Sequence, residues 1–210
     1  MEFHHIDNDG VADATRTIAA VFQTDGTNAS RDGTDYAILR LNAAAPAGVF
    51  PARFGLSNPV GVTARVAGFG ANGLGSTGSG GTSDGLRWGA DNVLDAYGAE
   101  RTAGGVATAG TANLFNFDFD DGTPGNNTLS PGVASSATPL TNEGSGAPGD
   151  SGGPMFVNNE LVAVTTGGTS GDPQFGVINH YTGTLLHRAF TQTNVFGAIF
   201  GDEFTMPSDG

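Results

Sequence analysis

Glycine sets the strongest limit on how this chain can fold. It accounts for 35 of the 210 residues and recurs, together with Asn, Asp, Ser and Thr, between short apolar stretches. Glycine destabilises the interior of a helix and favours turns, so this background leaves little room for long amphipathic helices. Short strands of alternating polarity joined by turns fit it well, and we predict a mainly β protein.

The predicted strands are short and spread over most of the chain. Gly/Ser/Thr-rich stretches at 71–84 and 124–136 separate several of them as loops. Alternation of apolar and polar residues, or a short apolar run between turn residues, marks each strand. The predicted strands are 17–22, 35–41, 60–70, 86–96, 113–119, 155–157 and 161–166.

The end of the chain gives two more specific local predictions. Asn158 and Asn159 separate two apolar runs and predict a hairpin. Residues 184–192 are the best helix candidate, with Thr184 as its N-cap. We expect four apolar side chains to share one face of that helix: Leu185, Leu186, Ala189 and Phe190. Many short strands and one late helix indicate an antiparallel barrel architecture.

Charge and composition exclude several classes of function. The formal net charge is −13, and the eight basic residues are all arginine, which argues against binding to nucleic acid or to an anionic membrane surface. No cysteine is present, so neither a disulfide nor a thiolate metal site is expected. No stretch is apolar enough to span a bilayer, and residues 1–10 lack the apolar core of a signal peptide.

The sequence Gly-Asp-Ser-Gly-Gly-Pro at 149–154 carries the clearest chemical signal. A serine hydroxyl is a weak nucleophile that needs a base beside it and hydrogen-bond donors for the developing oxyanion. Glycines on both sides of Ser151 let the backbone approach a substrate and adopt strained dihedral angles. Ser151 is therefore the candidate nucleophile, and we expect the amides of Gly149 and Ser151 to point into one oxyanion hole.

Residues 147–155 (APGDSGGPM) resemble the nucleophile segment of the trypsin-like serine proteases. Three other segments resemble that family in the same order along the chain. They are the strand of the catalytic aspartate at 34–41 (TDYAILRL), a Gly-aromatic-Gly strand at 66–70 (VAGFG) and a strand of the substrate cleft at 161–168 (LVAVTTGG).

The resemblance implies an all-β fold of two antiparallel six-stranded-type barrels with a short C-terminal helix. It divides the chain into 1–59, a remnant of the first barrel that carries the candidate His and Asp, and 60–210, the second barrel with the nucleophile. The first barrel is expected to be incomplete, because only three residues precede His4, where the family has several strands.

The resemblance also implies a serine endopeptidase that hydrolyses peptide bonds through an acyl-enzyme. Asp35 is then the residue that orients the catalytic histidine, and His4 is the base, because the family order is His, Asp, Ser. His5 is the alternative base. We expect a peptide or protein substrate, no cofactor, no metal, no nucleic acid or membrane partner, and a monomer. The family and the absence of cysteine suggest a bacterial protein, secreted or periplasmic.

Family resemblance further identifies the residues of the substrate cleft. Ser145, six residues before the nucleophile, is expected at the base of the pocket, with Thr166 and Gly168 along its wall. Glu143 is close enough in sequence to reach the same pocket. A serine at the base and a glycine wall favour a large apolar or aromatic substrate side chain. Asp150, which a buried N-terminus often anchors in this family, needs another partner here, such as an arginine.

Two other functions remain open at this stage. One is a catalytically inactive homologue that serves as a binding module. The other is an α/β-hydrolase-type esterase, because Ser151 also satisfies the pattern G-x-S-x-G. Asp172 with His180 or His187 would complete that triad, but its nucleophile must be followed by a helix, whereas Pro154 and a predicted hairpin follow here.

Acidic turns at 7–10 and 118–122 raise the question of calcium binding. An EF-hand loop needs a bidentate acid at its twelfth position, which falls on Arg16 if Gly10 is the loop glycine. We therefore interpret both segments as solvated turns and predict no metal site.

Overall fold

The computed structural model describes residues 1–4, 7–24, 29–55, 57–108 and 113–195. Within these residues nearly all regular structure is β, with a short helix before the C-terminus, as predicted. No helix of this part of the chain is long and apolar enough to cross a membrane. The strands are β1 (Glu2–Phe3), β2 (Ala14–Thr15), β3 (Ile18–Gln23), β4 (Ala37–Leu41), β5 (Arg53–Phe54), β6 (Thr63–Gly68), β7 (Trp88–Val93), β8 (Ala96–Gly98), β9 (Leu114–Asp118), β10 (Pro154–Val157), β11 (Glu160–Gly168) and β12 (Ile178–Gly183).

One large sheet dominates the structure. Its order is β7-β6-β10-β11-β12-β9-β8, with antiparallel neighbours, and β5 adds a parallel pair with β11. Two separate two-stranded sheets, β1-β2 and β3-β4, form the earlier part of the described chain. The helices are α1 (Ala29–Asp32) and α2 (Arg188–Asn194).

The hydrophobic core lies on one side of the large sheet. Phe117 and Tyr181 stack in it with ring centroids 5.4 Å apart. Burial of large side chains of this kind stabilises a fold by about 1.5–3 kcal/mol each. Its buried members are Ala64, Val66, Leu94, Phe115, Phe117, Met155, Val157, Val162, Ala163 and Tyr181.

The structure confirms the predicted hairpin. Asn158 and Asn159 have φ angles of 52° and 66°, and these two positive values define the tight turn between β10 and β11. Asparagine tolerates this left-handed conformation better than most residues.

Two strands differ from their predictions. The sequence indicated a half-buried strand at 113–119, but every residue of β9 is buried, including Asn116 and Asp118. The alternation in this strand is therefore between apolar and hydrogen-bonded polar residues. Residues 178–183 were not predicted as a strand because they contain Asn, His and Thr, yet β12 is buried throughout and lies between β11 and β9.

The C-terminal helix forms, but it begins differently. A 3-10 turn, Leu185–His187, precedes α2. The predicted N-cap is wrong, because the Thr184 hydroxyl bonds to the carbonyls of Leu161 and Val162 instead of a helical amide. The tighter turn also shifts the helical face, so Leu186 is 67% exposed.

The start of this helical region holds the chain before β4. His187 Nε2 donates to the Gly33 carbonyl at 2.8 Å, and its ring stacks on Tyr36 with centroids 4.6 Å apart. The Tyr36 hydroxyl bonds to Thr191 Oγ1 at 3.0 Å. Burial lowers the pKa of His187, so its imidazole is neutral at this contact. These contacts hold the segment that contains Asp35 against the C-terminal part of the chain.

Gly33 packs closely against the backbone of Asn113, and replacing it tests this packing. Its φ is +73°, and a Cβ there would lie 2.4 Å from the backbone nitrogen of Asn113. Gly33→Ala should lower the free energy of unfolding by about 3 kcal/mol or more, from backbone strain and overpacking together.

Gly61→Ala is the matched control for urea unfolding. Gly61 has a φ of +81° but no atom within 4 Å of the added Cβ, so it should lose only about 1–2 kcal/mol. Equal losses in the two variants would contradict the close packing at Gly33.

Candidate active site

Ser151 lies exposed in a tight turn immediately before β10. Gly149 and Gly152, on either side of it, have φ angles of +99° and +80°. These values lie in or near the left-handed region that glycine adopts without steric cost. The turn around Ser151 therefore requires glycine at both positions.

Backbone hydrogen bonds fix the conformation of this turn, and two of its amides take no part in them. The amide of Asp150 donates to the Ala147 carbonyl, that of Gly152 to Thr165 and that of Gly153 to Asp150, at 2.8–3.0 Å. Within the described residues, the amides of Gly149 and Ser151 donate to no protein group. Two neighbouring free donors are thus available beside the Ser151 hydroxyl.

The Asp150 side chain is held by backbone amides. Its Oδ1 accepts from Gly70 at 2.7 Å and its Oδ2 from Ala147 at 2.9 Å. The expectation of an arginine partner is therefore wrong for the described part of the chain. A Cβ at Gly68 would lie 1.9 Å from Asp150 Oδ1, and one at Gly70 2.6 Å. The two glycines of the VAGFG segment thus leave the space that this carboxylate occupies.

A cavity of about 210 Å³ opens beside Ser151. Its walls come from the chain before the nucleophile, from the end of β11 and from the loop that follows. Small residues predominate: Gly146, Ala147, Pro148, Ser151, Thr165, Gly167, Gly168, Ser170, Gly171 and Asn179. The space is open to a side chain of considerable size.

Asn179 of β12 forms a polar end of this cavity and was not found from the sequence. Its Oδ1 accepts hydrogen bonds from Ser145 Oγ at 2.9 Å and from the Gly146 amide at 3.0 Å. Ser145 therefore lies behind Asn179 and is held by it, while Gly168 lines the cavity directly. Asn179 was not identified because the polar residues of β12 did not indicate a strand at this position.

Glu143 does not line this cavity. Its two carboxylate oxygens accept from the amides of Asp120 and Leu140 at 2.7 and 2.6 Å. Both carboxylate oxygens of Glu143 are thus bonded to backbone amides of a neighbouring loop. Glu143 is not among the residues that line the cavity beside Ser151.

Asp35 and Thr166 are in direct contact. Thr166 Oγ1 donates to Asp35 Oδ2 at 2.5 Å. Thr166 follows Thr165, which hydrogen-bonds to the Ser151 turn on both its amide and carbonyl sides. The structure thus brings Asp35, which lies just before β4, into contact with the residue of β11 that follows Thr165, and Thr165 is bonded to the Ser151 turn. Thr166 itself is not among the residues that line the cavity.

The histidines stand apart from this arrangement in the described residues. His4 contacts the Phe69 ring at 4.9 Å, its Nε2 lies 3.7 Å from Glu2, and its buried Nδ1 has no hydrogen-bond partner. No hydrogen bond links it to Asp35 or Ser151 within the described chain. His5 lies outside the described residues.

Within the described residues, the arrangement required for an α/β-hydrolase is not formed. Ser151 is followed by β10 and not by a helix. His180 Nε2 donates to the Arg101 carbonyl at 3.1 Å, and His187 is occupied by Gly33. Asp172 accepts from the Ser79 amide at 2.8 Å.

The acidic turn at 7–10 is closed by a local hydrogen bond. Asp9 Oδ1 accepts the Val11 amide at 2.8 Å, as in an ordinary turn. Among the described residues, no group of three or more His or acidic side chains is arranged to hold a metal ion.

Comparison with known proteins agrees with this geometry. The trypsin family model matches residues 2–185. Among solved structures, mouse neuropsin, a serine protease expressed in the limbic system of the brain, superposes with a TM-score of 0.55 at 17% identity, covering 85% of this chain and 71% of that one. At this identity the likeness shows a shared fold. No curated protein matched the chain. The family match over most of the sequence, together with the exposed Ser151 turn, shows that this chain belongs to the trypsin family of serine proteases.

Proposed function

We propose that this protein is a serine endopeptidase that hydrolyses peptide bonds through an acyl-enzyme on Ser151. One observation carries the proposal. The exposed Ser151 hydroxyl adjoins a cavity of about 210 Å³, and the amides of Gly149 and Ser151 beside it are free of protein acceptors. Free, oriented amides are what an oxyanion needs, and removing one such donor typically costs about 3–4 kcal/mol of transition-state stabilisation.

In the proposed mechanism, Ser151 Oγ attacks the carbonyl carbon of the scissile bond. A histidine takes the hydroxyl proton and returns it to the leaving amine, and water then hydrolyses the acyl-enzyme with the same base. The amides of Gly149 and Ser151 hold the oxyanion. Asp35, held by Thr166, orients the histidine and stabilises its charged form. No cofactor or metal enters these steps.

We propose His4 as the base and His5 as the alternative. Both precede Asp35, as the family order requires. The unpartnered Nδ1 of His4 is the atom that an orienting carboxylate would accept from. To act, the imidazole has to leave its contact with Phe69 and reach hydrogen-bond distance of Ser151 Oγ, about 3 Å.

A binding module without catalytic activity is the second candidate function. It is favoured by the position of His4, which makes no hydrogen bond to Ser151 or Asp35 among the described residues. In that case the cavity beside Ser151 would bind a side chain without cleavage.

We further propose that the protein acts outside the cytoplasm, as a monomer, on peptide or protein substrates. The family match supports this setting, since trypsin-like proteases typically work outside cells. The net charge of −13 suits a protein that stays dispersed in solution.

Covalent labelling tests the nucleophile. A fluorophosphonate probe should modify the wild-type protein, because an activated serine attacks phosphorus as it attacks a carbonyl. Ser151→Ala should abolish labelling, which is measured by intact-mass spectrometry.

Ser170→Ala is the matched control, because Ser170 lines the same cavity and should not affect labelling. Absence of labelling in a wild-type protein with an intact cooperative melting transition would reject the enzyme and favour the binding module.

The base is identified by the same rate measurement. His4→Ala should slow labelling of Ser151 by about 10²–10⁴-fold, the range of general-base contributions, and His5→Ala should leave the rate within a few-fold of wild type. The reverse result would assign the base to His5. Unchanged rates in both variants would rule out the proposed base.

Substrate preference follows from the neutral end of the cavity. We propose cleavage after large apolar or aromatic residues, because Asn179, Ser145 and the glycine walls provide no charge. A peptide-library profile of the wild type should show this preference, and strong selection for Arg or Lys would contradict it.

Asn179→Asp should shift the same profile towards Arg and Lys. The substitution preserves the acceptor for Ser145 and Gly146 and adds a carboxylate at the cavity. Asn159→Asp, which adds the same charge to a distant exposed turn, should leave the profile unchanged.

A further inference from the structure

Four carboxyl groups cluster where β9 ends, beside the chain that leads to the cavity. Asp95, Asp118, Asp120 and Glu143 belong to the cluster. Asp118 is fully buried, and Asp120 is 7% exposed. The Asp95 amide donates to the Asn116 carbonyl at 3.1 Å, two residues before Asp118 in the same strand, and Asp118 is among the groups that perturb the Asp95 carboxyl. None of these groups takes part in the mechanism proposed above.

The hydrogen bonds of this cluster leave two buried oxygens unsatisfied. Asp118 Oδ2 accepts from the Leu129 amide at 2.9 Å and from Thr128 Oγ1 at 3.3 Å. Asp118 Oδ1 and Asp120 Oδ1 have no partner. A buried carboxylate oxygen without a donor is costly, so a hydrogen-bond donor is expected at Asp118 Oδ1.

No cation of the described protein fills that role. No Arg or His among the described residues forms an ion pair with the four carboxyl groups. The charged neighbours of Asp95 are Asp118 and Asp120, and Asp121 adds to the negative charge around Asp120. No three of these side chains are placed to hold one metal ion. A proton held by one of the carboxyl groups would supply the missing donor from within the cluster.

Burial and repulsion between neighbouring carboxylates both raise the pKa values of Asp95 and Asp120. Desolvation, followed by the nearby charge of Asp118, raises the pKa of Asp95 to about 8. The same two causes raise the pKa of Asp120 to about 7. Burial also raises the pKa of Glu143. At neutral pH the Asp95 carboxyl therefore retains a proton that an exposed carboxyl would lose.

We propose that Asp95 and Asp118 share one proton at neutral pH, with the protonated Asp95 carboxyl donating to Asp118 Oδ1. This hydrogen bond satisfies the orphaned oxygen and removes the repulsion between two carboxylates in contact. The inference does not depend on the chemistry of Ser151.

The shared proton supports the base of the cavity indirectly. Asn92 Nδ2 donates to the Asp118 carbonyl at 2.9 Å and to the Gly144 carbonyl at 3.2 Å. Gly144 directly precedes Ser145, which Asn179 holds. Repulsion between ionised Asp95 and Asp118 would act on this segment.

The sign of the pH dependence follows from proton binding. The folded protein binds the proton more tightly than the unfolded chain, because the pKa of Asp95 is raised on folding. The contribution of this proton to stability is therefore fully present below about pH 4, the usual range of an Asp carboxyl, and is lost as pH rises through about 8. The folding equilibrium constant should fall about tenfold per pH unit in this window for each retained proton.

Asp95→Asn tests the proposal in thermal melts from pH 5 to pH 9. Its amide donates to Asp118 Oδ1 at every pH, so the fall in melting temperature should be clearly smaller than in wild type. The variant should also melt above wild type at pH 9. Asp9→Asn is the matched control, because it removes one exposed charge and keeps the acceptor for Val11. It should parallel wild type, and parallel curves for Asp95→Asn would overturn the proposal.

Infrared spectroscopy gives a readout that requires no variant to fold. Wild type at pH 7 should show the C=O band of a protonated carboxylic acid, which disappears with a midpoint of about 8. A folded Asp95→Asn variant should lose the part of the band with this midpoint and keep the part from Asp120, whose pKa is raised to about 7. Asp9→Asn should retain both parts. Absence of the band in wild type overturns the proposal. Added Ca²⁺ gives a second test. If Ca²⁺ raises the melting temperature of wild type but not of Asp95→Asn, the site binds a cation and the proposal is overturned.

Discussion

The Asp150 carboxylate is the contact on which the geometry of the site depends. It joins the end of β6, through the Gly70 amide, to the chain that enters the nucleophile turn, through Ala147. With the side chain fixed there, the backbone of Asp150 bonds to Ala147 and Gly153, and Ser151 is left at the exposed point of the turn. The free amides beside Ser151 follow from this bonding, because all others in the turn are already used.

The site is assembled from parts that are held independently of one another. The Ser151 turn is bonded to β11, in the centre of the large sheet. Asp35 is held by Thr166 of the same strand, and its neighbour Tyr36 packs on His187. Neither attachment requires a histidine at the site. The positions of the Ser151 turn and of Asp35 are therefore fixed by β11 and do not depend on the first residues of the chain.

The nucleophile turn and the hairpin could be predicted because their geometry is local. Glycine around Ser151 and the Asn158–Asn159 pair impose positive φ angles that few residues tolerate. β12 and Asn179 could not be predicted, because what buries them is distant in sequence: the strand lies between two others, and Asn179 bonds to Ser145 and Gly146. Polar residues resemble a loop until their partners are known. The partner of Asp150 was predicted wrongly for a similar reason. Its carboxylate bonds to backbone amides, which nearly every residue carries, so the sequence does not indicate them.

The negative charge of the chain has two different physical consequences. On the surface, a carboxyl such as Asp9 is hydrated and costs little, so a net charge of −13 is compatible with a stable fold. In the interior, Asp95 and Asp118 meet where hydration is lost, and two charges there would oppose folding directly. Salt in the solvent screens exposed charges far more effectively than buried ones. Raising the ionic strength would therefore relieve the surface repulsion and leave the repulsion inside the cluster, which only a bound proton or cation can remove.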